Sequence, residues 1–186
     1  MNKLICGIGE SSITADSIRI QAYPFEPSVV YPEKEVVPEE IHGISTDYGQ
    51  GKLYLGKDIV FISRTNIEAL HRFAQVHQIP LIPSTYNWDL LLEPYLDTEF
   101  TSASTQKTMD QLIQQGIPLE EIKQIREEVG QAMLHYNFST MLWEWINLNL
   151  ADVLAAMRAM YNVSAFRDFY YRAMEIERRG NPNISK

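Results

Sequence analysis

The chain has very little of what most chemistry-bearing motifs require. Of its 186 residues one is cysteine, Cys6, and four are histidine: His42, His71, His77 and His135. A single cysteine excludes an intramolecular disulfide and a Cys-rich zinc site. No two histidines stand four apart, and neither H-E-x-x-H nor an EF-hand spacing occurs, so no metal and no cofactor is expected. No P-loop and no G-x-S-x-G elbow is present, and Gly7-Ile8-Gly9 lacks the third glycine and following helix of a dinucleotide cradle. No uncharged apolar run approaches a membrane span, and the N-terminal run Leu4–Ile8 is too short for a signal-peptide core. Basic side chains are also in deficit: 16 Lys+Arg against 24 Asp+Glu give a net charge of −8. That balance speaks against nucleic acid and against an anionic membrane surface as partner, since both need a cationic stripe. A reduced, cytoplasmic protein is the expectation.

What is present is ordinary globular material: 45% of the residues are hydrophobic and 22% charged, enough apolar surface to offset the entropy of folding. The charge is uneven. Residues 1–100 hold 7 basic and 14 acidic side chains, and residues 101–186 hold 9 and 10. An acidic N-terminal half attracts a partner with a basic surface.

The chain changes character near residue 63. Before it lie β-type runs and prolines. Ile13–Tyr23 alternates apolar and polar residues like a strand, and Lys52–Leu55 with Asp58–Ile62 reads as a hairpin across Gly56-Lys57. Residues 24–51 form a proline-rich loop, in which Val29–Tyr31 and Val36–Val37 are expected as short edge strands. After it come helices. Thr65-Asn66-Ile67-Glu68 opens one as a capping box, and a short one runs through Trp88, Leu91 and Leu92 towards Pro94. Ser104 starts a third, ended by Gly116, and Pro118 a fourth with Ile122, Ile125, Val129, Ala132, Met133 and Tyr136 on one face. A fifth is expected over 140–161, capped by Ser139, with 16 apolar residues of 22. Ser164 caps the last, with Phe166, Phe169, Tyr170, Ala173 and Met174 inward. The expected fold class is α+β: a small N-terminal antiparallel sheet of three to five strands, residues 1–62, packed with a C-terminal bundle of about six helices, residues 65–179. One domain spans 1–180, and 181–186 form a frayed tail.

Ile5–Arg19, with Thr14-Ala15-Asp16-Ser17, followed by Lys52-Leu53-Tyr54 leading into a strand and a helix, resembles the opening of N-terminal-nucleophile hydrolases of the proteasome class. The resemblance covers about a third of the chain and implies a Thr, Ser or Cys nucleophile at a free N-terminus. Asn2 follows Met1, Cys6 lies behind Ile5, and the helical C-terminal half departs from that fold's later strands. That activity is therefore not assigned.

Candidate sites are few. Glu93, Asp97 and Glu99 gather around Tyr95 beside a proline-broken helix end, and paired carboxylates can divide acid and base roles. Glu144, between Trp143 and Trp145 in the most apolar helix, needs a partner or a raised pKa. These four carboxylates are the catalytic candidates if the chain is an enzyme acting on a small molecule. Trp88, Tyr95, Trp145, Arg167, Tyr171 and Arg172 are the binding candidates, because Trp, Tyr and Arg anchor interfaces. The expected function is a non-catalytic protein-binding domain: an adaptor, a regulator or a neutralising partner of another protein. A homodimer through helix 140–161 is a further alternative.

Overall fold

The computed structural model describes residues 7–47, 49–96, 101–140 and 148–184, with the side chains of 137–140 left aside. The fold is mixed α+β: two three-stranded antiparallel sheets, followed by helices. The chain forms two compact units, one of residues 6–84 and 182–186, the other of residues 1–5 and 85–181.

The first unit carries both sheets. Strands β1 (Glu10–Ile13) and β2 (Ile18–Gln21) pair with Ile13 opposite Ile18. The single strand expected over Ile13–Tyr23 is thus a hairpin. Thr14 Oγ1 accepts the Asp16 and Ser17 amides at 3.3 and 3.0 Å, which closes the turn locally. Strand β3 (Lys34–Val36) adds on the other side of β2, giving the order β1-β2-β3. The expected strand at 29–31 is a turn, and only 34–36 of the proline-rich loop pairs in this sheet. In the second sheet, β4 (Gly43–Ser45), β5 (Gly51–Leu55) and β6 (Asp58–Ile62) lie in chain order. The 51–62 hairpin turns at Gly56, whose φ of +58° suits a residue without a side chain.

Alternation decides burial in β2: Ile18 and Ile20 are inside and Arg19 is outside. Strands β5 and β6 are buried throughout, as expected of a sheet covered on both faces. Helix α1 (Ile67–Val76) buries Leu70, Phe73 and Ala74. It belongs to this unit, so the change of character at residue 63 marks a change of secondary structure and not the unit boundary at 84–85. Its entrance also differs from the expected capping box. Ser63 receives the Thr65 amide and starts a 3-10 turn over Arg64–Asn66, which leaves the Asn66 side chain for other use.

Two buried polar side chains tie this unit together. Asp58 is 2% exposed and accepts the Ser28 hydroxyl at 2.7 Å and the Val29 amide at 2.9 Å. Tyr23 is 1% exposed, and its hydroxyl accepts the Phe61 amide at 3.3 Å. Burial, reinforced by the Asp58 carboxylate, pushes the Tyr23 phenol well above its ordinary pKa and keeps it neutral.

The second unit is helical: α2 (Asn87–Leu92), α3 (Ser102–Gln114), α4 (Leu119–Thr140), α5 (Leu150–Met160) and α6 (Val163–Arg178). The inward faces expected for α4 and α6 are buried residue for residue. The helix expected over 140–161 is corrected. Ser139 lies inside α4, Leu148 and Asn149 are not helical, and α5 starts only at Leu150. Asn149 makes that start: its Oδ1 accepts the Ala151 amide at 2.8 Å, and Asp152 Oδ2 accepts the Asn149 amide at 2.9 Å. Similarly Thr101, not Ser104, caps α3, and Asn162, not Ser164, caps α6. Within the expected tail, Asn181 and Ile184 are buried, and Pro182 and Asn183 are exposed.

Candidate functional site

The residues proposed from sequence fall into three groups. Asp97, Glu99, Glu144 and Trp145 lie outside the described residues. Trp88 and Tyr95 are consumed by packing within the helical unit. Trp88 is wholly buried, donates its indole N–H to the Ala173 carbonyl at 2.9 Å, and stands 5.9 Å from the Phe169 ring. Tyr95 gives its hydroxyl to the Arg126 carbonyl at 2.5 Å, and burial raises its phenol pKa. Arg126 in turn donates to the Leu90 and Leu91 carbonyls at 3.1 and 3.0 Å and so closes the C-terminal end of α2. Trp88 has no surface left for a partner, whereas Tyr95 is half-buried. Glu93 is half-buried beside this arrangement.

Arg167, Tyr171 and Arg172 remain on the outer side of α6, all exposed. Arg172 meets Glu128 of α4 at 2.5 Å and lies over the Phe169 ring, 5.5 Å from its centroid. Tyr161 donates its hydroxyl to the same Glu128 carboxylate at 2.9 Å, and burial followed by that bond raises its pKa. Arg172 is thus a fixed strut between two helices. Val163, Arg167 and Tyr171, at spacing i, i+4, i+8, are the outward stripe that stays uncovered.

Sequence reasoning missed one carboxyl. Asp152 is pushed from an ordinary 3.8 up to about 6, chiefly by burial and against the bonds it accepts from the Asn149 amide and the Tyr136 side chain. The spacing Asn149-x-x-Asp152 was the available signal. Its oxygens serve the start of α5, which makes it a structural acid. Helix α5 itself buries Leu150, Ala151 and Val153–Met157 within the chain's own fold.

In the sheet-bearing unit, the acidic surplus takes a definite form. From the turn through β3 to the 3-10 turn at Pro38–Glu40, exposed apolar and acidic side chains interleave. Val29 is 52%, Tyr31 42% and Val37 40% exposed, and Glu26, Glu33, Glu35 and Glu39 are exposed between and beside them. Exposed apolar side chains supply burial on contact where they gather, and the carboxylates between them add charge. The strip is internally braced. Glu40 accepts Lys34 Nζ at 2.5 Å, which holds its carboxyl below the usual range, and Ser17 donates to Glu35 Oε1 at 2.6 Å.

Residues 34–36 of this stretch form a sheet edge that differs from the others in the unit. The β1 edge is capped by Asn66, whose Nδ2 donates to the Ser11 carbonyl at 2.8 Å. The β4 edge is closed by residues 80–82: the Ile44 amide reaches Pro80 O at 3.0 Å and the Ile82 amide reaches Ile44 O at 2.8 Å. The approach at Gly43 is close: a Cβ there would meet Ile82 Cδ1 at 2.0 Å, so the Ile82 side chain would have to move. The β6 edge is buried and receives Tyr23. Among the described residues, no backbone segment pairs with the outer side of β3.

A shallow groove of about 230 Å³ lies between the β1–β2 turn and α1, with Ile13, Ala15, Phe73 and Val76 as walls and Arg72 at the rim. It offers one charged group and no convergent polar set for orienting a small substrate. No group of three or more His, Cys, Asp or Glu placed to hold a metal occurs among the described residues. None of their helices is long and apolar enough to cross a membrane. Set against protein-family models, curated proteins and solved structures, the chain matches none.

Proposed function

We propose that this chain is a non-catalytic, cytoplasmic protein-binding domain, acting as an adaptor, a regulator or a neutralising partner of another protein whose contact surface is basic. One observation carries the reading: Val29, Tyr31 and Val37 stand exposed in the same stretch as Glu26, Glu33, Glu35 and Glu39, a stretch that includes the outer strand β3. Apolar side chains supply the burial on contact, and the carboxylates supply steering and discrimination. The aromatic and cationic stripe of Arg167 and Tyr171 on α6 adds a second exposed surface of the type that anchors partners.

Affinity capture from the source cell at low and high salt tests this reading, with the wild-type chain beside a Glu33→Lys/Glu35→Lys/Glu39→Lys variant. The expected result is a stoichiometric partner at low salt, released by salt and lost by the variant. No partner at low salt, or equal recovery by the charge-reversed chain, overturns it.

A further inference from the structure

The backbone phase of the first sheet shows which polar groups face outward at the β3 edge. The Thr14 amide donates to the Ser17 carbonyl at 2.9 Å, so 14 and 17 are a hydrogen-bonded pair. Antiparallel pairs alternate between bonded and non-bonded. With Ser12 opposite Arg19 and Ser11 opposite Ile20, Arg19 turns its amide and carbonyl to β1, and Ser11 turns its own away from β2. The Asn66 side chain meets the Ser11 carbonyl in that outward direction, at 2.8 Å, which checks the assignment. Ile18 and Ile20 therefore direct their backbone groups to β3, to Val36 and Lys34. Glu35, opposite Arg19, is left with its N–H and C=O pointing out of the sheet.

We infer that the β3 edge takes an extended segment of the partner as a fourth strand, one that alternates cationic and apolar side chains. The inference rests on the protein-binding reading and specifies how that surface is used. The outward backbone groups of Glu35 supply ladder bonds. Glu33 and Glu35 lie on the exposed face, where an added strand's Lys or Arg side chains meet them across the pair. Val36, on the opposite face, is fully buried, and Lys34 on that face is already paired with Glu40, so apolar side chains of the added strand suit the intervening positions beside Val36. The same carboxylates oppose pairing of this edge with a second copy of itself and with acidic or neutral strands, which makes the edge selective.

A fluorescein-labelled, end-blocked six-residue peptide of alternating Lys and Val, titrated at low salt, tests this. Its controls are a block-sequence peptide of the same composition and the variants Glu35→Gln and Glu35→Pro. Proline removes the outward N–H without touching the bonds of β3 to β2. Binding by the alternating peptide is expected to exceed that by the block peptide, and Glu35→Pro to bind roughly tenfold more weakly than Glu35→Gln, a factor corresponding to about 1.4 kcal/mol. In the wild-type chain the Glu35 amide is expected to gain protection from hydrogen exchange when the alternating peptide is added. That readout does not depend on whether the proline variant folds. Equal binding of both peptides, or no change at the Glu35 amide, overturns strand pairing. If capture of a natural partner still depends on Glu33, Glu35 and Glu39, the protein-binding reading survives that failure. If capture fails too, both fall.

Discussion

The two units spend their polar groups differently. The helical unit turns them inward: the Trp88 indole, the Asn87 amide and the Arg126 guanidinium all reach backbone carbonyls of neighbouring helices. Trp88, Tyr95, Arg126 and Arg172 all join one helix of this unit to another. The sheet-bearing unit satisfies its edges one by one and stops at β3. The difference teaches that an interface-type residue signals a binding surface only when the fold has no internal use for it. Trp88, the strongest interface residue by type, is internal, and glutamates beside modest valines are external.

The largest expected effect breaks or keeps that contrast directly. Trp88→Ala removes a fully buried indole and its hydrogen bond, and is expected to destabilise the helical unit by about 4 kcal/mol. Urea titration followed by circular dichroism measures it. A loss below about 1 kcal/mol, the range of ordinary surface substitutions, would place Trp88 outside the core. Asp58→Ala is the counterpart in the other unit, since it strips a buried acceptor from Ser28 and Val29. About 3 kcal/mol is expected there, as for buried donors left unpaired. The loosening should appear as faster amide exchange at Val29.

Asp152 sharpens the comparison through pH. Its folded-state pKa of about 6 stands above the ordinary 3.8, so the folded chain holds the proton more tightly than the unfolded one. Stability from this group is full below 3.8 and is lost as pH rises through about 6. The whole loss is at most about 3 kcal/mol, from a little over two pKa units. Asp152→Asn should flatten the stability profile between those two pH values. An unchanged profile would show that the carboxyl titrates normally. The smallest effect belongs to the outer face of α6. Tyr171→Ala, at an exposed position, is expected to change stability by no more than about 0.5 kcal/mol. A cost approaching that of Trp88→Ala would erase the distinction between inward and outward aromatic residues.

Much of the fold was legible locally. The 3.6-residue rhythm of α4 and α6 identifies their buried faces, and Gly56-Lys57 marks the β5–β6 turn. Other features were legible but overlooked. The apolarity of 140–161 reads as one helix, and the Asn149-x-x-Asp152 cap that interrupts it was the available signal. The candidate site was less legible, for a physical reason. The indole of Trp88 is satisfied by Ala173, 85 positions away, and no window of sequence contains both. The acidic excess of residues 1–100 was visible as a sum, but not its arrangement with Val29, Tyr31 and Val37.

By itself the sequence determined the class of molecule: the α+β order of elements, the inward faces of the long helices and the lack of motifs for metal or phosphate chemistry. These depend on residue type and short-range spacing. Only the tertiary structure decided which anchors are buried and which edge is open. Burial of Trp88 and exposure of Glu35 depend on what other parts of the chain cover. The direction of the Glu35 amide depends on a hydrogen-bond phase set by Thr14 and Ser17 on another hairpin.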